Sequence, residues 1–505
     1  MDFCSDFHGR SLARRVLVDG MFDNPGYWYR LNLFRAALGL DRAREIGLTG
    51  LHSAASSRKT LNRLGIGEVV TFDTLTDFPH TLRADAKRLV ASIKHPEDIL
   101  ELRLPHGLPA SFLYDSILKR QRAAIADVSD PRLQDDVFKF LSAIRSAERA
   151  IDLFDPDLVC LSHAINARYS ALAWLSAQAG RNPVVLFGNY GVPRFWRIGQ
   201  PEDIFNCMDR PGSQDIDALS PRQADGMEKI GREYLKLRFE GKTTDIGGSF
   251  AFSQASCNAT SEHLLADLGW QNDKPVVVVY ASNWFDFPHA LGMTEFRDFL
   301  DWILATLEAA MDNRDVNWLF KPHPCDKWYG GVTLKDLMPS SLPAHIRMVP
   351  EHWSGSDTMS VVTALVTCHS TAALEYAAAA KPVLVADRGW YHDCGFVLWA
   401  RSRKEYLNLL ASPWFDNLNI KTFSHRAAIF AGWYFCTPEW QRDGVLPDDS
   451  RQLNMYPALL RQLNDCRDVM NKEVQTIRSW YESGEPFYHT YKMRQADQYR
   501  LSNIA

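Results

Sequence analysis

The run Ala364-Leu365-Val366-Thr367-Cys368-His369-Ser370-Thr371-Ala372-Ala373-Leu374-Glu375 reads as a strand, a cap and a helix in succession. The apolar residues up to Cys368 make the strand, and Ser370 and Thr371 offer capping hydroxyls. Helix formers then run through Tyr376 and four alanines to Lys381, whose charge suits the negative end, and Pro382 stops the helix. Free N–H groups at such a helix start form a phosphate site, to which Ser370 and Thr371 add hydroxyl donors. Glu375 lies one turn beyond Thr371 on the same face, so a nucleotide held there by its phosphate would offer it the ribose hydroxyls. A capped helix between two parallel strands, with no ligand at all, accounts for the same residues.

A second cluster lies upstream, in Lys321-Pro322-His323-Pro324 after the apolar run Trp318-Leu319-Phe320. A proline disfavours helical geometry in the residue before it, so Lys321 and His323 are expected to be extended. Residues two apart in an extended chain point the same way, which places an ammonium and an imidazole on one side as an anion-facing pair. An exposed loop with two incidental prolines is the plainer alternative.

Outward from these clusters, short apolar runs alternate with helical periodicity. In the first half the expected strands are Arg15–Val18, Glu45–Leu48, Glu68–Phe72, Asp157–His163 and Pro183–Gly188, with helices from Tyr27, Ala84, Ala110, Leu133 and Ala167. In the second half they are Pro275–Val279, Trp318–Phe320, Ile346–Val349, Leu365–Cys368 and Pro382–Ala386, with a helix over Glu295–Met311. Such alternation predicts an α/β chain of two doubly wound, Rossmann-like domains, with ligands at the carboxyl ends of the strands. The expected boundaries are 1–265, 266–423 and a helical C-terminal extension over 424–505, with residues 200–268 as an elaborated, irregular connection. At the strand ends of the first domain lie Asp19, Ser162, His163, Asn166, Arg168 and Asn189-Tyr190. Each is explicable as a loop or cap residue; together they outline one side of a cleft. Neither a G-x-G-x-x-G nor a G-x-x-x-x-G-K-S/T loop occurs, which weakens dinucleotide and P-loop readings.

Composition narrows the partners. A length of 505 residues exceeds one ordinary core, and 46% hydrophobic with 23% charged residues is the balance of a globular protein. A net charge of -5 gives no general polyanion signal, so nucleic acid is not expected as a partner and any phosphate site is local. Nine cysteines without paired spacing point to a reducing, cytoplasmic setting. Met1 to Arg15 lacks the apolar core of a secretory signal, and no apolar run reaches membrane-span length. Fifteen tryptophans are compatible with peripheral contact at a membrane surface.

Residues Val276 to Leu410 resemble the bacterial capsule polysaccharide biosynthesis family of GT-B glycosyltransferases, which includes Kdo transferases. The resemblance rests on Lys321-Pro322-His323-Pro324, on Ser370-Thr371 leading into Leu374-Glu375-Tyr376-Ala377, on Lys381-Pro382-Val383, and on Gly389-Trp390-Tyr391-His392-Asp393-Cys394-Gly395-Phe396. It implies a GT-B fold with two domains facing a cleft and transfer of a sugar from a nucleotide donor, CMP-linked Kdo or a related ulosonic acid, to a glycan or glycolipid acceptor. It further implies that His323 contacts the departing phosphate, Ser370 and Thr371 bind it, and Glu375 holds the ribose; Lys321 is expected to add charge at the same place, and no metal or other cofactor is expected to take part. Where family members carry a Gln and an Asp after the first strand of this domain, this chain has Ala281-Ser282-Asn283-Trp284-Phe285-Asp286. The catalytic carboxylate on the acceptor side is then sought among Asp19, Asp23 and Asp286, with His163, Asn166 and Arg168 as acceptor-side candidates. A CDP-polyol phosphotransferase, a UDP-sugar enzyme of GT-B or epimerase type, and a degenerate transferase fold serving as an assembly subunit give similar strand-end signals.

Overall fold

The computed structural model describes residues 11–189, 192–206, 209–242, 252, 256–257, 259–271, 273–324, 326, 330–435 and 467–495. Tyr190 and part of the expected irregular connection lie outside the described residues. The chain separates into two compact units, each built on its own six-stranded sheet.

The first unit takes residues up to Ile117, Asp127–Asp209 and the helices Arg467–Ser483 and Tyr488–Arg494. Its strands are β1 (Arg15–Asp19), β2 (Arg44–Thr49), β3 (Glu68–Thr71), β4 (Leu158–Leu161), β5 (Pro183–Asn189) and β6 (Val192–Arg197), in the order β3-β2-β1-β4-β5-β6. All neighbours are parallel except β5 and β6, which pair antiparallel from Val184↔Arg197 to Asn189↔Val192. From β1 the chain winds out to β3, then returns on the other side of β1 as β4. Strand order thus reverses between β1 and β4, and connections diverging to either side leave a crevice beyond those two strand ends.

The second unit takes Leu118–Ala126 and the described residues from Arg210 to Phe435. Its strands, all parallel, are β7 (Val276–Tyr280), β8 (Asn317–Lys321), β9 (Ile346–Met348), β10 (Ala364–Thr367), β11 (Val383–Val385) and β12 (Leu398–Trp399), in the order β12-β11-β10-β7-β8-β9. Here the order reverses between β7 and β10, registered Ala364↔Val277 to Thr367↔Tyr280. Val276–Val279 is buried throughout, as a strand covered by helices on both faces must be.

The division therefore falls at Asp209/Arg210, not near residue 265, and the expected irregular connection contains a regular helix, Pro221–Phe239. Ser220 caps it in a box with Gln223, a signal hidden in the sequence by a helix face rich in charged residues. This helix packs against Ile420–Phe435 backbone to backbone: a Cβ on Gly231 would stand 1.9 Å from the Ala428 carbonyl oxygen, and one on Gly432 2.0 Å from that of Met227. Residues 424–505 accordingly form no separate domain in the described parts; Ile420–Phe435 belongs to the second unit and Arg467–Ser483 to the first. The helix expected from Glu295 begins at Phe299, because the Asp298 carboxylate accepts the Asp301 N–H at 2.8 Å as its cap. Among the described residues no helix is long and apolar enough to cross a membrane.

Candidate functional sites at the two strand reversals

In the second unit the two clusters of the sequence analysis meet through a residue neither contains. Tyr280, which ends β7, receives a hydrogen bond at 3.3 Å from the Lys321 ammonium at the end of β8. Its hydroxyl lies 2.9 Å from that of Tyr376, on the helix Ala372–Ala378 that follows Thr371. The Lys321 ammonium also sits 4.9 Å from the Tyr280 ring centre, over its electron-rich face. One strand end, one neighbouring strand end and the capped helix are thereby joined.

His323 is half-buried, and burial lowers its pKa against the opposing pull of Asp286. Its neutral form is therefore favoured in the ligand-free chain, and an adjacent phosphate would pull it back toward the imidazolium. Asp326, which the sequence reading passed over, has its pKa raised to about 6 by burial, against the backbone N–H of His323, and one carboxylate oxygen is buried without a partner. Asp286 itself is 61% exposed and pairs with Lys119 at 3.3 Å.

The helix start differs in detail from the expected cap. Thr371 occupies the N-cap position without a side-chain capping bond, and Ser370 Oγ instead accepts the Ala372 N–H at 3.2 Å. The helix ends at Ala378 rather than running on to Lys381, because Ala380 adopts a left-handed φ of 57° and Lys381 N–H closes back on the Tyr376 carbonyl at 2.9 Å. Glu375, expected at the ribose, is buried and takes the Arg238 guanidinium at 2.5 Å, both side chains 5% exposed or less. The structure thus gives this carboxylate a partner on the helix Pro221–Phe239.

The motif Gly389-Trp390-Tyr391 packs on the same turn. The Trp390 indole N–H donates to the His369 carbonyl at 3.2 Å, and the Tyr391 hydroxyl donates to the Ser370 carbonyl at 2.6 Å. Gly389 lies close to this turn, since a Cβ there would come 3.2 Å from the His369 ring, a tight contact that the ring would have to ease. The loop leaving β7 is tied down at its far end, where the buried Asp387 carboxylate, two residues past β11, accepts the Thr294 and Glu295 N–H groups at 2.9 and 2.7 Å. At its near end the loop is not satisfied. Ser282 Oγ, Asn283 Nδ2 and Trp284 Nε1 are buried without a hydrogen-bond partner, as is His369 Nδ1 across the strand pair. Ser282 and His369 each lie two residues beyond the registered pair Tyr280↔Thr367. Such groups ordinarily cost about 1–3 kcal/mol each when left unpaired, and four at one strand reversal is a concentration.

The strand reversal of the first unit is built differently. Asp19 ends β1 and is 1% exposed. One carboxylate oxygen accepts the Met21 N–H at 2.7 Å; the other accepts both the Ser162 N–H at 2.9 Å and the Ser162 hydroxyl, just past the end of β4. Burial raises its pKa to about 6, with these hydrogen bonds and Arg168 pulling the other way. His163 Nδ1 lies 3.0 Å from Ser162 Oγ, and the His163 ring meets the edge of Phe22 at 4.6 Å. Burial, and then Arg30, lower its pKa to about 4.

Other expected acceptor-side residues have local employment. Asn166 is exposed, and its side chain accepts the Ala167 N–H at 2.6 Å as the cap of the helix Ala167–Gln178. Arg168 pairs with Asp73 at 2.9 Å, and Asp23 accepts the Trp28 indole N–H at 2.8 Å. Sequence reading missed Arg30, whose Nε donates to the Leu186 carbonyl at 2.8 Å and whose pKa burial lowers to about 10. It also missed Tyr27, whose buried hydroxyl has no partner. Both sit on the helix Pro25–Leu38 directly after β1, and only the position of that helix at the β1 end gave a signal.

No protein-family model matches the chain, and no curated protein sequence matches it. Solved structures do. The KpsC beta Kdo 2,4 transferase of Thermosulfurimonas dismutans is 12% identical, with 54% of this chain and 78% of that one covered at a TM-score of 0.35. MnaA of S. aureus, solved with UDP, is 12% identical over 88% of this chain and 97% of that one at a TM-score of 0.26. A putative UDP-N-acetylglucosamine 2-epimerase from Listeria monocytogenes is 13% identical over 83% and 94% at 0.24.

Proposed function

We propose that the chain is a nucleotide-sugar-dependent glycosyltransferase whose donor, a CMP-linked ulosonic acid of the Kdo type, binds at the β7/β10 reversal of the second unit. The observation that carries this reading is the set of buried, unpaired side-chain groups of Ser282, Asn283, Trp284 and His369, on segments that follow β7 and β10, while Lys321 and His323 stand at the end of the adjacent β8 and Ser370 and Thr371 follow His369. Asparagine and indole N–H groups and a hydroxyl suit an acceptor-rich ligand such as a phosphate or a sugar carboxylate. As the glycosidic bond breaks, negative charge grows on the leaving nucleoside monophosphate. Lys321, a reprotonated His323 and the Ser370-Thr371 turn oppose that charge more strongly in the transition state than in the ground state. The protein groups carry this role without a metal or other cofactor. Glu375, held by Arg238, orders the helix under the site instead of meeting the ribose. The acceptor is a glycan or glycolipid met in the cytoplasm, at the membrane face or free.

Calorimetric titration with CMP, CDP and UDP tests the donor: CMP is expected to bind most tightly, and tight UDP binding without CMP binding would overturn the Kdo reading. CMP binding without hydrolysis or transfer of the CMP-sugar would favour a nucleotide-binding assembly subunit instead.

A further inference from the structure

The helix Pro25–Leu38 of the first unit carries a cation that no carboxylate answers. A guanidinium drawn out of water is ordinarily paired, because an isolated charge in a poorly hydrated place is costly. Arg30 is half-buried, and its Nε donates to the Leu186 carbonyl on β5 at 2.8 Å. That bond fixes the side chain and leaves both Nη groups uncommitted: among the described residues Arg30 has no salt bridge and no second hydrogen bond. Burial lowers its pKa to about 10, with only the phenols of Tyr27 and Tyr29 pulling the other way. The acids of this unit that end or follow the nearby strands are spent elsewhere. Asp19 takes Met21 and Ser162, Asp73 takes Arg168, and Glu45 takes Arg35.

The surroundings form a seat for this cation. A Cβ on Gly188, at the end of β5, would stand 2.6 Å from Arg30 Nη1, so any side chain there would push the guanidinium off the strand. Tyr27, one turn earlier on the same helix, is fully buried, and its hydroxyl has no hydrogen-bond partner. His163 lies close enough for Arg30 to oppose its protonation, and with burial as the larger cause its pKa falls to about 4, so it adds no second cation. The rings of Phe22 and Tyr169 flank His163 at centroid distances of 4.6 and 5.5 Å.

We infer that Arg30 anchors an oxyanion-binding site within the first unit, taking a carboxylate or phosphate group of a ligand on its two Nη groups, with the Tyr27 hydroxyl as a further donor. A guanidinium fork matches two oxygens of either group, which a point charge does not. The aromatic rings beside His163 suit a sugar that bears the anion. Identifying that anion as an acidic group of the acceptor glycan rests on the transferase reading; the anion site itself does not, and it uses no residue of the second unit.

The full chain, labelled with nitrogen-15 histidine, is titrated with inorganic phosphate, glucuronate and methyl glucoside, the His163 resonances being assigned by their loss in His163→Gln. Phosphate or glucuronate is expected to move those resonances saturably, and methyl glucoside to leave them in place. Arg30→Gln is expected to weaken the response about tenfold or more, and Arg30→Lys, which keeps the charge without the fork, to fall between. Movement with phosphate alone assigns a phosphate-bearing ligand, and movement with glucuronate alone a sugar carboxylate. No movement with either anion in the wild type, or an undiminished response in Arg30→Gln or in Arg30→Lys should the first not fold, would overturn the site. Phosphate bound in the second unit is told apart by the His323 and His369 resonances. CMP binding with no anion response at His163 would remove this site and leave the transferase reading; an Arg30-dependent response without CMP binding would do the reverse.

Discussion

The two strand reversals have the same topology and opposite hydrogen-bond economies. At β1/β4 the central carboxylate has both oxygens occupied, and each bond orients the next group along the chain. At β7/β10 four buried polar atoms have no partner at all. A satisfied network is rigid and predetermines which atom carries a proton; an unsatisfied one holds free energy that a ligand of the right chemistry releases on binding. At the first reversal the carboxylate is satisfied within the protein; at the second the buried polar atoms are not.

The contrast is broken most severely from below the second site. Glu375→Ala leaves the Arg238 guanidinium buried and alone, and a loss of about 3–5 kcal/mol in unfolding free energy is expected, measured by urea denaturation. A loss below 1 kcal/mol would mean that the pair does not organise this unit. Next in size, His323→Ala is expected to reduce turnover by about 100-fold with CMP affinity changed less than threefold. Equal losses in both would show that His323 binds the ground state as well as the transition state.

Asp19 offers a pH comparison. Its folded pKa, near 6, stands above the value of 3.8 for an exposed aspartate, so its contribution to stability is fully present below about pH 4 and is lost as pH rises through 6. Between pH 4 and 7 the wild type is expected to lose about 3 kcal/mol relative to Asp19→Asn in paired urea melts; parallel curves would place the Asp19 pKa near its ordinary value. The smallest effect sharpens the contrast most. Ser162→Ala removes a bonded hydroxyl and should cost about 1–2 kcal/mol, whereas Ser282→Ala removes an unpaired one and should leave the free chain as stable or about 1 kcal/mol more so, while weakening CMP binding severalfold. Equal thermal shifts in the two variants would remove the distinction between the sites.

The sheets were largely legible in the sequence, because parallel strands covered on both faces leave unbroken apolar runs such as Pro275–Val279 and Leu365–Cys368. Strand β6 was not, since Pro193, Arg194 and Arg197 interrupt its apolar residues and it pairs only in the antiparallel hairpin with β5. The helix Pro221–Phe239 was obscured by its charged outer face, although the Ser220-to-Gln223 spacing carried the cap signal. Of the candidate site, Lys321, Ser370 and Asp19 fell where strand ends predict. Which partner occupies a carboxylate could not be read: that Glu375 meets Arg238, and that Asp19 takes the Ser162 N–H and hydroxyl, depends on tertiary contacts between residues more than a hundred positions apart.

The bare contact of Gly231 and Gly432 has a bearing on how far this chain can be shortened. Ile420–Phe435 lies beyond the last strand and looks dispensable on a sequence map. Truncation before residue 420 would strip Pro221–Phe239 of the surface it lies on, unseat Arg238 and leave Glu375 without its cation, so a fragment trimmed to the second sheet alone should fail to hold the turn at Ser370 and Thr371 in shape.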